Sequence, residues 1–182
     1  MISTDLYKII IAFRGMSVYA ILCLVPILVC SCSVKYAFNG ASIDYTQTKT
    51  IAIADFLNNA EYVYPPLAQN FTEKLRDTYT RQTRLQLLKS EGDLNLEGEI
   101  TSFVFTPMAI AADSYASETK LTIIMRVRFS NKANPEDDYE KQYSAFQTFD
   151  SDRTIEEVQE ELTSIMITEI CDNIFNDTVA KW

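Results

Sequence analysis

Residues 94–105 read LNLEGEITSFVF, and this stretch decides the fold. Leu94, Leu96, Gly98 and Ile100 fall on one side of an extended chain, with Asn95, Glu97, Glu99 and Thr101 on the other. A strict period of two with one polar side predicts a strand in a sheet that is covered on one face. Residues 120–129 (KLTIIMRVRF) repeat the pattern. Leu121, Ile123, Met125, Val127 and Phe129 form the inner row; Lys120, Thr122, Arg126 and Arg128 form the outer one. Further strands are predicted over 49–56, 84–88 and 139–149. Asn58 and Asn59 mark the turn after the first, and the run 90–93 (SEGD) turns the chain before residue 94.

Two segments change to helical spacing. After Pro65-Pro66, Leu67, Phe71, Leu75 and Tyr79 recur every fourth residue, so a helix runs to about Gln82. Thr154 and Glu157 fit a capping box and lead into Ile155, Val158, Leu162, Ile165, Ile170 and Ile174. The expected fold is a two-layer α+β domain, a mainly antiparallel sheet of four to five strands packed on two amphipathic helices.

Composition narrows the function. The chain has 182 residues, 16 Lys+Arg against 25 Asp+Glu, a formal charge of −9 and no His. An acidic chain lacks the positive face that a phosphate backbone needs, so no nucleic acid is expected as a partner. Without His, the usual general base and most zinc ligation are gone. The four glycines are too scattered for a phosphate-cradling loop. No enzyme activity, cofactor or metal is expected. Glu97 and Glu99 are spaced as a carboxylate couple, yet across the sheet they should meet Arg126 and Arg128 as ion pairs. The run Glu136-Asp137-Asp138 lacks the alternating ligands of a calcium loop. Two features hold functional promise: the basic trio Lys120, Arg126 and Arg128, and the weakly charged stretch 100–117. The trio can meet anionic phosphates or be neutralised by the glutamates. The stretch can dock into a partner or lie buried as a hairpin.

The N-terminus differs from the rest. Residues 1–31 carry only Asp5, Lys8 and Arg14 as charges, and 15–31 form an uncharged, largely apolar run. A positive start, an apolar core and small residues read as a secretion signal; an uncleaved membrane helix is the alternative. Val29-Cys30-Ser31-Cys32 resembles a bacterial lipobox, which implies lipid attachment and cleavage at Cys32. The expected organisation is a lipoprotein signal over 1–31, a lipidated tether over 32–48 and a folded domain over 49–182. Removing 1–31 leaves 151 residues with a formal charge of −10. Cys32 and Cys171 then remain. With Cys32 lipidated no intrachain disulfide is possible, and Cys171 sits in a helical pattern as a core residue. Ser33 follows Cys32 where an inner-membrane retention signal would place Asp, so the resemblance points to the periplasmic face of the outer membrane.

From Cys32 onward the chain resembles the LptE family of outer-membrane lipoproteins. The likeness rests on the order and spacing of 36–43 (YAFNGASI), 48–56, 66–88, 92–101 (GDLNLEGEIT), 121–131, 146–151 and 180–182. The resemblance implies a non-enzymatic protein that plugs and helps assemble an LptD-type β-barrel and helps deliver lipopolysaccharide to the outer leaflet. It implies a sheet with two helices against it. Lys120, Arg126 and Arg128 are the candidate lipopolysaccharide contacts, and Cys32 anchors the chain to the membrane. A freestanding periplasmic scaffold or ligand-binding lipoprotein is the alternative.

Overall fold

In the computed structural model, residues 43–108 and 117–180 are described. The signal segment, Cys32 and most of the tether lie outside them. The chain order is β1 (Thr50–Ile53), β2 (Leu57–Asn58), α1 (Pro66–Gln82), β3 (Gln86–Leu88), β4 (Leu94–Pro107), β5 (Glu118–Asn131), a 3-10 turn (Pro135–Asp137), β6 (Tyr139–Asp150) and α2 (Ile155–Thr178). Six strands form one mixed sheet in the order β3-β1-β4-β5-β6, with β2 paired beside β4. Two helices on one sheet is the α+β class expected, and most of its pairing is antiparallel.

The differences lie at the N-terminal side. The strand expected over 49–56 breaks into β1 and β2, and Asn58 belongs to a strand rather than to a turn. β1 is parallel to both β3 and β4, and β2 is parallel to β4. A parallel partner needs a crossover, and α1 supplies it between β1 and β3. Ile51, Ala52 and Ile53 are all buried, the continuous apolar run that a central parallel strand shows.

A β-bulge divides β4. Ile100 pairs with Met125 and Ser102 with Ile124, leaving Thr101 as the extra residue. The bulge reverses the parity of the strand. Even-numbered Leu94, Leu96 and Ile100 are buried before it; odd-numbered Phe103 is buried after it. In a regular strand without the bulge, Phe103 and Phe105 would face the outer side of the sheet.

The helices cover the inner face. α1 buries Leu67, Phe71, Leu75 and Tyr79, the predicted stripe. α2 buries Val158, Leu162, Met166, Ile170 and Ile174, along with Thr163, Ile167 and Cys171. At the start of α2 the expected capping box of Thr154 and Glu157 is present, with the Glu157 carboxylate accepting the Thr154 N–H at 3.2 Å. Its C-terminal end is tied to β6, where Asp177 accepts from Lys141 Nζ at 2.6 Å and Tyr143 Oη at 2.7 Å. Tyr79 Oη and Thr178 Oγ1 join the two helices by a buried hydrogen bond. The Cys171 thiol is buried, and desolvation pushes its pKa up to about 12.

Candidate functional site

Because both helices lie on one face, the outer face of the sheet carries no covering element among the described residues. Side chains from β4, β5 and β6 stand on it in cross-strand rows, and the rows fall into two zones.

The first zone lies before the bulge. Register sets Glu97 opposite Arg128 and Arg128 opposite Glu140, with Glu99 opposite Arg126 in the next row. Arg126 Nη1 reaches Glu99 Oε1 at 3.1 Å, and its Nε lies 3.8 Å from Glu140 Oε1. Arg128 Nη1 meets Glu97 Oε1 at 3.1 Å and Nη2 meets Glu140 Oε2 at 3.0 Å. Glu140 therefore bridges both arginines, and first among its neighbours it raises the pKa of Arg128, followed by Glu97. Three carboxylates against two guanidiniums leave this zone slightly negative. The side chains are half-exposed, so solvent screens each pair and the rows order the face more than they stabilise the fold. A hollow of about 330 Å³ lies beside the cluster, lined as well by Ala54, Leu57 and Gly98.

The second zone lies beyond the bulge. Val104, Thr122 and Phe146 form one row, Thr106, Lys120 and Thr148 the next. Phe146 is 60% exposed and Val104 41%. Lys120 Nζ sits 5.1 Å from the centroid of the Phe146 ring and takes part in no ion pair among the described residues. This zone sets one uncommitted cation beside apolar area. Sequence reasoning named Lys120 but missed Phe146 and Val104. Phe146 was legible: Tyr143, Ala145 and Phe149 share one parity, which puts Phe146 on the other side.

The inner face ends in a cluster of rings at the same end of the sheet. Phe103 stacks on Tyr62 at 5.7 Å and on Tyr64 at 6.0 Å, and meets Phe105 edge-on at 5.4 Å. The stretch 100–117 is thus in part the far half of β4, with its rings turned inward; 109–116 lie outside the described residues.

The acidic run 136–138 closes the β5–β6 turn. Asp137 Oδ2 accepts the side-chain amides of Asn131 and Asn134, both at 3.1 Å, and Asp138 Oδ1 accepts the Asn131 N–H at 2.7 Å. Among the described residues no three His, Cys, Asp or Glu side chains converge as metal ligands. No described helix is long and apolar enough to cross a membrane. The chemistry that the outer face offers is contact: charge, hydrogen bonds and apolar area.

The family profile of LptE, described as lipopolysaccharide-assembly, matches residues 48–178. No curated protein sequence matches the chain. Among solved structures, a minor lipoprotein from Acinetobacter baumannii aligns at TM-score 0.49 and 12% identity, over 73% of this chain and 94% of that one. Rare lipoprotein B from Shewanella oneidensis aligns at 0.49 and 13%, over 68% and 91%. A neuraminyllactose-binding hemagglutinin homolog from Helicobacter pylori aligns at 0.50 and 9%, over 71% and 82%, a likeness of fold.

Proposed function

The chain belongs to the LptE family of lipopolysaccharide assembly, and from that premise we propose that it acts without catalysis at the outer membrane. It is a lipoprotein held by a lipid on Cys32, on the periplasmic face, after loss of residues 1–31. It plugs and helps assemble an LptD-type β-barrel and helps deliver lipopolysaccharide to the outer leaflet. The observation that carries this reading is the family match, which spans the sheet and both helices from Thr48 to Thr178.

The outer sheet face suggests how contact with a glycolipid divides among the three basic candidates. A lipid with phosphates and acyl chains asks for a cation next to apolar area. Lys120 with Phe146 and Val104 offers that combination. Arg126 and Arg128 are already engaged by Glu97, Glu99 and Glu140, so a phosphate has to compete with carboxylates for them. Lys120 is therefore the leading contact in this reading, and the arginines are secondary.

The test is gentle detergent extraction of the full chain, followed by identification of what comes with it. A stoichiometric outer-membrane barrel, and lipopolysaccharide trapped before the surface when the chain is depleted, are the expected results. A chain recovered free, with export unaffected, overturns the reading in favour of a freestanding lipoprotein. Cys32→Ala should abolish membrane fractionation of the mature form; unchanged fractionation would favour an uncleaved membrane helix.

A further inference from the structure

The helical layer holds a hollow of its own, about 390 Å³ in volume, with no strand residue in its walls. Asn70, Glu73, Lys74 and Asp77 of α1 form one wall. Glu160, Thr163, Ser164 and Ile167 of α2 form the other. Each row recurs at i, i+3, i+4 and i+7, so one stripe of each helix faces the other. Glu73, Glu160 and Ser164 are exposed, and the hollow opens to solvent. Tyr79 is bonded to Thr178, and Lys74, five residues back on α1, acts on the thiol of Cys171, seven residues back on α2. The helices therefore run side by side in one direction. Glu160 lies 11 residues before Cys171, about 16 Å along the axis. Lys74 and Glu160 thus stand toward opposite ends of the hollow.

Thr163 departs from the habit of its neighbours. Of the six threonines in the two helices, Thr72, Thr78, Thr80, Thr168 and Thr178 each donate to the carbonyl four residues back, at 2.8–3.0 Å. Thr163 does not. It is 2% exposed, and its hydroxyl has no hydrogen-bond partner among the described residues. The side-chain oxygen of Gln159, one turn back on the same helix, is buried and unpartnered as well. Buried polar atoms without partners are costly and rare, so two together beside a hollow mark where the donors of a ligand would sit.

The charges around the hollow divide in the same way. Asp77 is held by Arg81 Nε at 2.6 Å, and Glu73 accepts the Gln69 amide at 2.8 Å. Lys74 and Glu160 take part in no ion pair among the described residues. One uncommitted ammonium and one uncommitted carboxylate stand at the two ends, with the polar groups of Asn70, Thr163 and Ser164 between them. Three carboxylates against one ammonium leave the walls net negative.

We propose that this hollow binds a short free peptide, about three residues long, with its N-terminal ammonium on Glu160 and its C-terminal carboxylate on Lys74. An extended tripeptide spans at most about 10 Å, and the two long side chains close the remainder. Its N–H groups meet the oxygens of Thr163 and Gln159, while Asn70 and Ser164 serve its carbonyls. A basic residue suits the negative walls. A single amino acid is too short to reach both ends. A polyamine would answer the carboxylates but set a cation against Lys74. This inference goes beyond the barrel reading and does not rest on it.

The experiment is isothermal titration calorimetry of the full chain in detergent with the tripeptide Ala-Lys-Ala. Binding at millimolar concentration or below is expected. Acetylating the peptide N-terminus or amidating its C-terminus should weaken it at least about tenfold, as should Glu160→Gln and Lys74→Met in the protein. Thr163→Val should act in two directions. Tm rises because an unsatisfied hydroxyl is gone, and the tripeptide binds at least about threefold more weakly. A merely structural Thr163 would move Tm alone. Spermidine and free alanine should bind far less. No binding of the tripeptide at millimolar concentration, undiminished binding of the blocked peptides, spermidine bound as tightly, or undiminished binding by Thr163→Val overturns the proposal. If Thr163→Val fails to fold, the two charge variants decide. None of these results touches the barrel reading, which is tested by what is extracted with the chain.

Discussion

Gly98 is the position where an ordinary stabilising substitution should fail. In a strand interior, replacing Gly by Ala restricts the unfolded chain and gains roughly 0.5–1 kcal/mol. Here a methyl group would stand 2.3 Å from the carbonyl oxygen of Arg126 on β5 and 2.6 Å from Cε1 of Phe56. Phe56 lies over Gly98 on the inner face and meets Phe71 of α1 edge-on at 4.8 Å. To reach even 3.0 Å from the carbonyl, the β5 backbone must give about 0.7 Å where it pairs with β4, just before the bulge. Overpacking of this kind costs about 1–3 kcal/mol, and tilting a buried Phe ring adds to it. Gly98→Ala should therefore lose about 2–4 kcal/mol and lower Tm by about 6–12 °C for a domain of this size. Thermal and urea unfolding monitored by circular dichroism would measure it, with the urea slope unchanged. In a Phe56→Ala background the substitution should cost less, because one of its two clashes is gone, yet still destabilise through the carbonyl. A Tm equal to or above that of wild type would refute the reasoning.

Asp93 accepts the N–H groups of Lys49 and Thr50 at 2.8 and 2.9 Å, and these bonds hold its carboxyl below the ordinary 3.8. That contribution is full above the unfolded value and fades as pH falls through the lower folded one. The stability gap between wild type and Asp93→Asn should thus shrink as pH falls below the ordinary carboxyl value of 3.8, read from urea midpoints. Cys171, with its pKa raised to about 12, should resist thiol reagents at pH 8 and label only as the chain unfolds; mass spectrometry locates the label, and rapid labelling under native conditions would contradict its burial. Glu140→Gln removes the carboxylate shared by Arg126 and Arg128, so binding to anionic vesicles should rise about fivefold at low salt, with unaltered binding as the contrary result.

Much of this fold is legible because one face of the sheet is wet. Alternation places Leu121, Ile123, Met125, Val127 and Phe129 in the core without ambiguity, and the four-residue spacing from Leu67 to Tyr79 does the same for α1. What alternation cannot supply is strand direction. A buried Ile51-Ala52-Ile53 looks the same beside parallel or antiparallel neighbours, so the pairing of β1 had to come from the structure. The bulge was hidden for a related reason: Ile100, Phe103 and Phe105 are apolar on either count, and only the cross-strand register reveals the extra Thr101. In the candidate site, Lys120, Arg126 and Arg128 share a row by parity, but parity says nothing of partners. That Glu140 ties up both arginines while Lys120 rests on Phe146 depends on β6 lying next to β5, a long-range choice that local pattern does not encode.

The position of β1 between β3 and β4 bears on the order in which the chain can fold. β4, β5 and β6 are consecutive in the chain and pair with their sequence neighbours, so they can zip as a meander with low loop-closure entropy. β1 must close across α1 to reach β3 and across some 40 residues to reach Leu94. Yet β1 is the first of these strands to leave a ribosome or a translocation pore. Until residue 88 has followed, both sides of its backbone are open, and the side that β4 covers stays open until residue 96. A chain exported from its N-terminus thus carries its most vulnerable segment in front. The slow step of its folding should be the insertion of that segment into the middle of the sheet, where Ile51→Ala would act mainly on the rate of folding rather than of unfolding.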